Sequence, residues 1–536
     1  MKHLATVALA LAVAAVFTWP APVAGDDVLV GRGFDATGML WMGWYASEHL
    51  ATHGLTSPVS GLPDSEALHG TDAWLHLLLS MLWSGFATAR AHHLLAWLGC
   101  AATFVAGERM AARAFGARWP WSLVAGLALA CNGIAFAALL AGRHYHLFQA
   151  GLPLFVWAWV RVLRGERAGV WAGLAWVLCL ASSVYTALLA SAAGAWLWLW
   201  RSDRLASIRQ QLLGVAVALP PFAAFVYAFT GSERPVLASG TPTLEQISRS
   251  THLASLLGWN PAHAESALYS GAAVGFAAFG VALAGRRWLP RARWSPLFWG
   301  GVLAVVLSLG SFASVLPHAL EPLPTPIHLL NELWEPLAEF KFYARLMLLA
   351  YLAFGTLAAM ALSSSTGWLR YALAGCIAVD ALFWGRPVGA AVTVVAPGNE
   401  LYTRIDQGGV LDLVPNASSG TDRGLLNAIH HACASQPLHG QPVVDVCLSP
   451  TTRATPGVRL RRRVLSLLMD GQHKPAARAL REAGVEWVVL HPDLFSRFEA
   501  KRLEASLREL SRAPASAVGG GEHLVLFQLR RSRAKP

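Results

Sequence analysis

Eleven apolar segments, separated by loops whose charges alternate in sign, run through the first three quarters of this 536-residue chain. Crossing a bilayer core takes roughly 20 apolar residues in a helix, with a range of about 17–25. Segments 4–21, 92–108, 119–141, 146–162, 168–183, 185–200, 208–230, 269–285, 295–316, 344–362 and 367–385 meet or approach that length. The continuous run 168–200 is too long for one helix and divides at Ser182-Ser183. This pattern predicts a polytopic α-helical membrane protein with about eleven transmembrane helices. Only 14% of residues are charged, against about a quarter in a soluble domain. The 23 tryptophans suit a chain with many membrane interfaces, where indole rings settle.

Threading the segments alternately through a bilayer sorts the charges. One side receives Arg109, Arg113 and Arg118, then Arg161, Arg164 and Arg167, then Arg201, Arg204 and Arg209, then Arg286, Arg287, Arg291 and Arg293. Glu108, Glu166 and Asp203 oppose them. The other side receives 25–73, 231–268, 317–343 and the C-terminal region, which hold most of the carboxylates. Arginine-rich short loops stay cytoplasmic, so the N-terminus is expected inside and the C-terminus outside a bacterial inner membrane. The net charge of +11 belongs to these loops, and nucleic acid is excluded as a partner. Met1-Lys2-His3 and the apolar run behind it have the look of a signal peptide, but with so many segments downstream an uncleaved first helix is expected.

The first external loop, 25–73, carries Asp26, Asp27, Asp35, Glu48, Asp64, Glu66 and Asp72 against the single Arg32. Segment 74–88 is too short to span and is expected to lie at the outer surface as an interfacial helix. A transmembrane domain over 1–396 thus gives way to a C-terminal extracytoplasmic α/β or α+β domain over 397–536. There Val410–Val414, Val443–Val446, Val485–Leu490 and Leu524–Leu529 read as strands, and residues 478–483 and 498–512 as helical. Cys100, Cys131, Cys179 and Cys376 fall in apolar segments as small core residues. Cys433 and Cys447 lie in the outer domain, where a disulfide is open to them.

Four local patterns carry a family resemblance. They are Gly33-Phe34-Asp35 with Trp41, Trp44 and Gly54; Gly142-Arg143-His144-Tyr145-His146 running into Leu152-Pro153-Leu154; Pro336 with Phe340-Lys341-Phe342-Tyr343-Ala344-Arg345; and Gln436-Pro437-Leu438-His439-Gly440-Gln441-Pro442 with the later Gly484–His491 run. With a long first external loop and an outer C-terminal domain, the chain resembles the GT-C superfamily of membrane glycosyltransferases, and more narrowly bacterial YfhO-like multi-span proteins. It departs from relatives at Lys341 and Tyr343, where they tend to have Phe-Arg-x-Pro-x-Arg.

The resemblance implies transfer of a sugar from a polyprenyl-phosphate donor to a glycan, lipid or protein acceptor at the outer membrane face. In such enzymes an acidic residue of the first loop is base or metal ligand, and a basic residue of a later external loop contacts the donor phosphate. The chemistry needs a carboxylate for the acceptor, or to hold a divalent cation, and a cation for the departing phosphate. Asp35, among aromatic residues outside a span, is the first candidate acid and the metal ligand if a metal is used; it also suits an N-cap. Asp26 and Asp27 stand behind it, and they equally suit charges that end a membrane helix. Lys341 and Arg345, spaced i, i+4, would share a helix face as a phosphate clamp or snorkel to the interface. Arg143, His144 and His439 are candidate substrate-binding residues. His430 and His431 with His439 lack metal-type spacing, and Walker, GxSxG and HExxH motifs are absent. Two rival readings share the scaffold: a transporter or flippase of a lipid-linked or polar substrate, which would use Asp380 inside 367–385, and a non-catalytic assembly protein.

Overall fold

The computed structural model describes residues 2–25, 28–31, 34–54, 56–57, 66–67, 74–82, 88–201, 207–231, 291–308, 312–313, 323–324, 343–383, 392–394, 401–415, 435–436, 439–444, 456–512, 514–519 and 522–530. Its helices of eight residues or more, in chain order among the described residues, are α1 (Lys2–Phe17), α2 (Phe34–Glu48), α3 (Trp74–Leu82), α4 (Thr88–Phe115), α5 (Leu123–Ala130), α6 (Gly133–Leu140), α7 (Gly151–Leu163), α8 (Gly169–Ser182), α9 (Val184–Leu199), α10 (Ile208–Gly231), α11 (Arg291–Ser308), α12 (Met347–Ser364), α13 (Leu369–Phe383), α14 (Pro456–Met469), α15 (His473–Glu482) and α16 (Arg497–Leu510). Each apolar segment predicted from the sequence overlies helix, except 269–285, which lies outside the described residues. Leu123–Leu140, His144–Leu163, Ile208–Val226 and Met347–Ser364 are long and apolar enough to cross a membrane, whereas Lys2–Phe17, Gly169–Ser182, Val184–Leu199 and Trp294–Ser308 are shorter apolar helices. Leu188, Leu212, Val215 and Leu219 are each more than half exposed, as side chains facing lipid are. The chain is a multi-pass membrane protein.

Local chemistry explains the breaks between these helices. Segment 119–141 divides where Asn132 accepts from the Ala135 amide at 2.9 Å and donates to the Leu129 carbonyl at 2.6 Å, capping α6. The 168–200 run divides at Ser183, which caps α9 by accepting from the Tyr185 amide. Small residues let the helices approach closely. A Cβ on Gly126 of α5 would stand 2.4 Å from the Phe104 carbonyl oxygen of α4, so the two backbones meet there. Of the interfacial helix expected over 74–88, α3 covers Trp74–Leu82, and residues 83–87 lie outside the described ones.

Beyond the bundle stands a four-stranded sheet. Strands β1 (Val28–Val30) and β2 (Val392–Val394) pair antiparallel and tie the first loop to the segment after α13. The larger sheet comprises β3 (Gly409–Leu413), β4 (Val485–Leu490), β5 (Ala515–Gly519) and β6 (Glu522–Gln528), in the order β3-β4-β6-β5. β3 and β4 run parallel, and the other neighbours are antiparallel. Both faces are buried by different partners. Leu411, Leu413, Val488, Leu490, Val525 and Phe527 meet α14, α15 and α16. The alternate residues Val410, Val414, Trp487, Val489, Leu524 and Leu526 join Trp41, Met42 and Tyr45 of α2 in a second buried cluster. Helix α16 opens with a capping box between Ser496 and Glu499, and the bond from Ser496 holds the Glu499 carboxyl below its usual range.

Three places differ from the sequence expectations or go beyond them. Residues 456–469, to which the sequence assigned no element, form α14, and Arg461 within it is buried. Cys376 is exposed on α13, unlike the buried Cys100, Cys131 and Cys179. Val443 makes only an isolated bridge to Val410, and residues from 445 lie outside the described ones, as do Cys433 and Cys447.

Candidate functional site

Helix α2 is the centrepiece of the first loop. Asp35 is its second residue, so the backbone places this candidate acid in the first turn; its side chain lies outside the described residues, as do Asp26, Asp27 and Lys341. The rest of α2 is fixed by burial. Trp41, Met42 and Tyr45 are fully buried, and the Trp41 and Tyr45 rings stack 5.4 Å apart. Burial raises the Tyr45 phenol above its usual range. His49, just past the helix, is lowered by burial and by His53, with Glu48 opposing.

A polar chain runs from α2 into the sheet. The Trp41 indole donates to Gln436 Oε1 at 2.6 Å, and Gln436 Nε2 donates to the Gln441 carbonyl at 2.9 Å. The Gln441 amide donates to His439 Nδ1 at 3.0 Å. The His439 ring stacks on Tyr402 with centroids 5.9 Å apart. Tyr402 donates its hydroxyl to Asp412 Oδ1 at 2.6 Å, and His491 Nε2 lies 2.9 Å from the same oxygen. Asp412 is 1% exposed because it occupies β3 on the side that covers α2, together with Val410 and Val414. Burial pushes the His439 imidazole down to about 4, with Asp412 opposing. A neutral His439 therefore sits in this network at physiological pH.

The turn between α6 and α7 supplies the second half of the site. His144–Leu147 is one 3-10 turn, entirely buried. Gly31, with φ near +111°, makes this possible: a Cβ there would stand 2.6 Å from Gly142 Cα, so β1 lies directly against the turn. His144 donates Nδ1 to the His92 carbonyl, at 3.2 Å, and its ring stacks on that of His92 at 3.8 Å. The Val30 amide donates to His93 Nε2 at 3.2 Å. His144 is thus occupied in locking the turn to α4.

Its neighbours remain directed elsewhere. His146 is buried, its Nε2 has no partner among the described residues, and its ring lies 4.1 Å from that of Tyr145. Arg143 and Arg345 both stand close enough to act on it electrostatically. The Arg345 guanidinium sits 4.0 Å over the Tyr185 ring, a cation–π contact. Arg345 belongs to a 3-10 turn, Tyr343–Leu346, that leads into α12. The i, i+4 face expected for Lys341 and Arg345 is therefore not built from α-helix at Arg345. Tyr145 belongs to the same buried cluster as Trp41, Tyr45 and Tyr402. That shared cluster brings α2, the 143–146 turn and the sheet together.

Arg143 and Arg345 thus both act on His146; His146 and Tyr145 entered the sequence reading only as parts of the 142–146 pattern, and Tyr185 did not enter it. His439 belongs to the adjoining network rather than beside the arginines. Asp412 and His491 entered the sequence reading only within a strand and a family pattern, with no site role, and Tyr402 did not enter it. Among the described residues no three His, Cys, Asp or Glu side chains converge as a metal site, and His430 and His431 lie outside those residues. Asp380, on which a transporter reading relies, is buried on α13.

No family model matches the sequence, and no curated protein matches it. Solved structures do match its fold. The arabinofuranosyltransferase AftD from Mycobacteria, seen by single-particle cryo-EM, aligns with 98% of this chain at 15% identity and a TM-score of 0.62. The chain spans 40% of that protein's length. The oligosaccharyltransferase of Archaeoglobus fulgidus, crystallised with zinc and sulfate, aligns with 97% of this chain and 72% of its own, at 12% identity and a TM-score of 0.50. In fold the chain is similar to both of these enzymes.

Proposed function

We propose that this protein is a membrane glycosyltransferase that moves a sugar from a polyprenyl-phosphate donor to an acceptor at the outer face of a bacterial inner membrane. One observation carries the reading: on a GT-C fold, Arg143 and Arg345 both act electrostatically on the buried His146, whose neighbour Tyr145 belongs to the aromatic cluster that anchors α2. The arginine clusters of the opposite loops support an N-terminus inside and a C-terminal domain, from about residue 397, outside.

The acceptor hydroxyl oxygen attacks the anomeric carbon, and Asp35 takes its proton. The bond from that carbon to the phosphate oxygen breaks, and its electron pair leaves on the polyprenyl phosphate. Arg345 and Arg143, with Lys341, meet the charge growing on that phosphate, in a setting where water is scarce and each cation counts for more. The His146 ring and Tyr145 border the same space. A divalent cation on Asp35 would orient the acceptor and steady the phosphate.

Transfer from radiolabelled polyprenyl-phosphate sugars by the reconstituted protein tests this. Asp35→Asn is expected to lower the rate by about a hundredfold or more. An unchanged rate would remove Asp35 from the chemistry, and no transfer from any such donor by the wild-type protein would overturn the reading.

A further inference from the structure

A second cationic site lies at the other end of the bundle. A cavity of about 550 Å³ is lined by His3, Arg109, Arg113, Trp157, Arg161, Arg164 and Glu166. That volume falls within the range of small-ligand sites, about 300–1,000 Å³. Arg109 and Arg113 come from the C-terminal end of α4, and Arg161 and Arg164 from that of α7. The opposite ends of the same two helices carry His93 and the His144–Leu147 turn. Sixteen residues of α4 separate His93 from Arg109, about 24 Å at 1.5 Å per residue. The cavity therefore lies nearly a bilayer core away from Arg345, at the other headgroup level.

Among the described residues, basic side chains predominate in the lining. Arg109 pairs with the buried Glu108 at 3.4 Å and contacts His3; Arg161 pairs with Glu166 at 2.6 Å. Arg164 donates to the Ala114 carbonyl at 2.5 Å. Arg113 has no hydrogen bond or ion pair among the described residues. Among the described residues, Glu108 and Glu166 are the carboxylates paired with Arg109 and Arg161, while four guanidiniums line the cavity. The helix dipole accounts for a cation at each helix end, and the positive-inside rule for arginine on this face. Neither accounts for four arginines from two helices converging on one cavity, where like charges repel. An anion in the cavity removes that repulsion, and guanidinium forks match phosphate oxygens.

The surroundings favour a lipid. Trp157 forms part of the wall, Leu4, next to His3, is 77% exposed, and Lys2 lies over the half-exposed Trp119 ring. Apolar side chains exposed beside a cationic cavity, with indoles at the same level, mark the boundary between headgroup and acyl chain. Basic pockets between membrane helices on the cytoplasmic side bind anionic headgroups. We propose that this cavity binds the phosphate headgroup of an anionic phospholipid, independently of the glycosyl-transfer site.

The test adds lipid to the full-length protein in detergent and follows Tm and lipid retention by native mass spectrometry. Diphosphatidylglycerol is expected to raise Tm and to stay bound, while phosphatidylethanolamine and inorganic phosphate are not. Arg113→Gln combined with Arg161→Gln should weaken the lipid roughly thirtyfold. Should that pair fail to fold, the exposed Arg113→Gln alone should weaken it about fivefold. Arg118→Gln combined with Arg201→Gln removes the same charge from the same face outside the cavity and should leave affinity within about twofold. Equal loss in that control would overturn the site in favour of diffuse surface attraction. An equal shift from inorganic phosphate would overturn the lipid as occupant, and unchanged affinity in the cavity variants would overturn the proposal altogether.

Discussion

The indole of Trp41 donates to Gln436 Oε1 at 2.6 Å, across 395 positions of sequence and within the cluster where α2 meets the sheet. This bond fixes the face that helix α2, and so Asp35 at its first turn, presents. Gln436→Leu leaves a buried indole N–H without its acceptor and is expected to cost about 1–3 kcal/mol in thermal unfolding. Trp41→Phe combined with Gln436→Leu removes both partners and should cost less than the two single changes added together. Strict additivity would show that the two residues are not coupled.

Asp412 is the hub of the polar network beneath that contact. Asp412→Leu removes the partner of both Tyr402 and His491 inside the protein and should cost about 3 kcal/mol or more. Tyr402→Phe removes one donor and should cost about 1 kcal/mol. Denaturation of the two variants, compared with wild type, checks that order.

His439 gives the network a pH dependence with a definite sign. Its imidazole is held near 4 by burial, below the unfolded value of about 6.5. Between these values the unfolded chain binds more protons than the folded one, so stability rises with pH. The contribution is complete above about 6.5 and falls away on acidification toward 4, by on the order of 3 kcal/mol. Tm measured from pH 7 to pH 4 should drop less steeply in His439→Gln than in wild type; parallel curves would contradict a buried neutral His439.

Gly31 sets the position of the 143–146 turn without touching a substrate. Gly31→Ala places a methyl group 2.6 Å from Gly142 Cα, at a φ that suits glycine. Strain of about 1–3 kcal/mol is expected, with a fall in sugar transfer because Arg143 and His146 are displaced. Gly54→Ala, at a positive φ but with open space around it, should cost only stability.

Much of the bundle was legible because lipid imposes a local rule: each span must be long, apolar and flanked by charge of the right sign. The strands at 410–414 and 485–490 were legible for a similar reason, as apolar runs bounded by glycine. Contacts between distant segments leave no such periodic trace. The three-residue pairing of Val28–Val30 with Val392–Val394 is one example. Asp412 is another: read along β3 it looks like a strand's solvent-facing residue, yet α2 covers that side of the sheet. Arg345 was found through charge and family resemblance, whereas its placement by His146 and Tyr185 depends on segments far apart in sequence.

The most direct test of the central claim is the affinity of the purified protein for polyprenyl phosphate, measured for wild type, Arg345→Gln and Arg143→Gln, with Tm recorded for each. The account predicts that wild type binds, and that Arg345→Gln binds at least about tenfold more weakly at an unchanged Tm. Arg143→Gln should fall between the two. Equal affinity in all three proteins would contradict a donor-phosphate site at Arg143, His146 and Arg345.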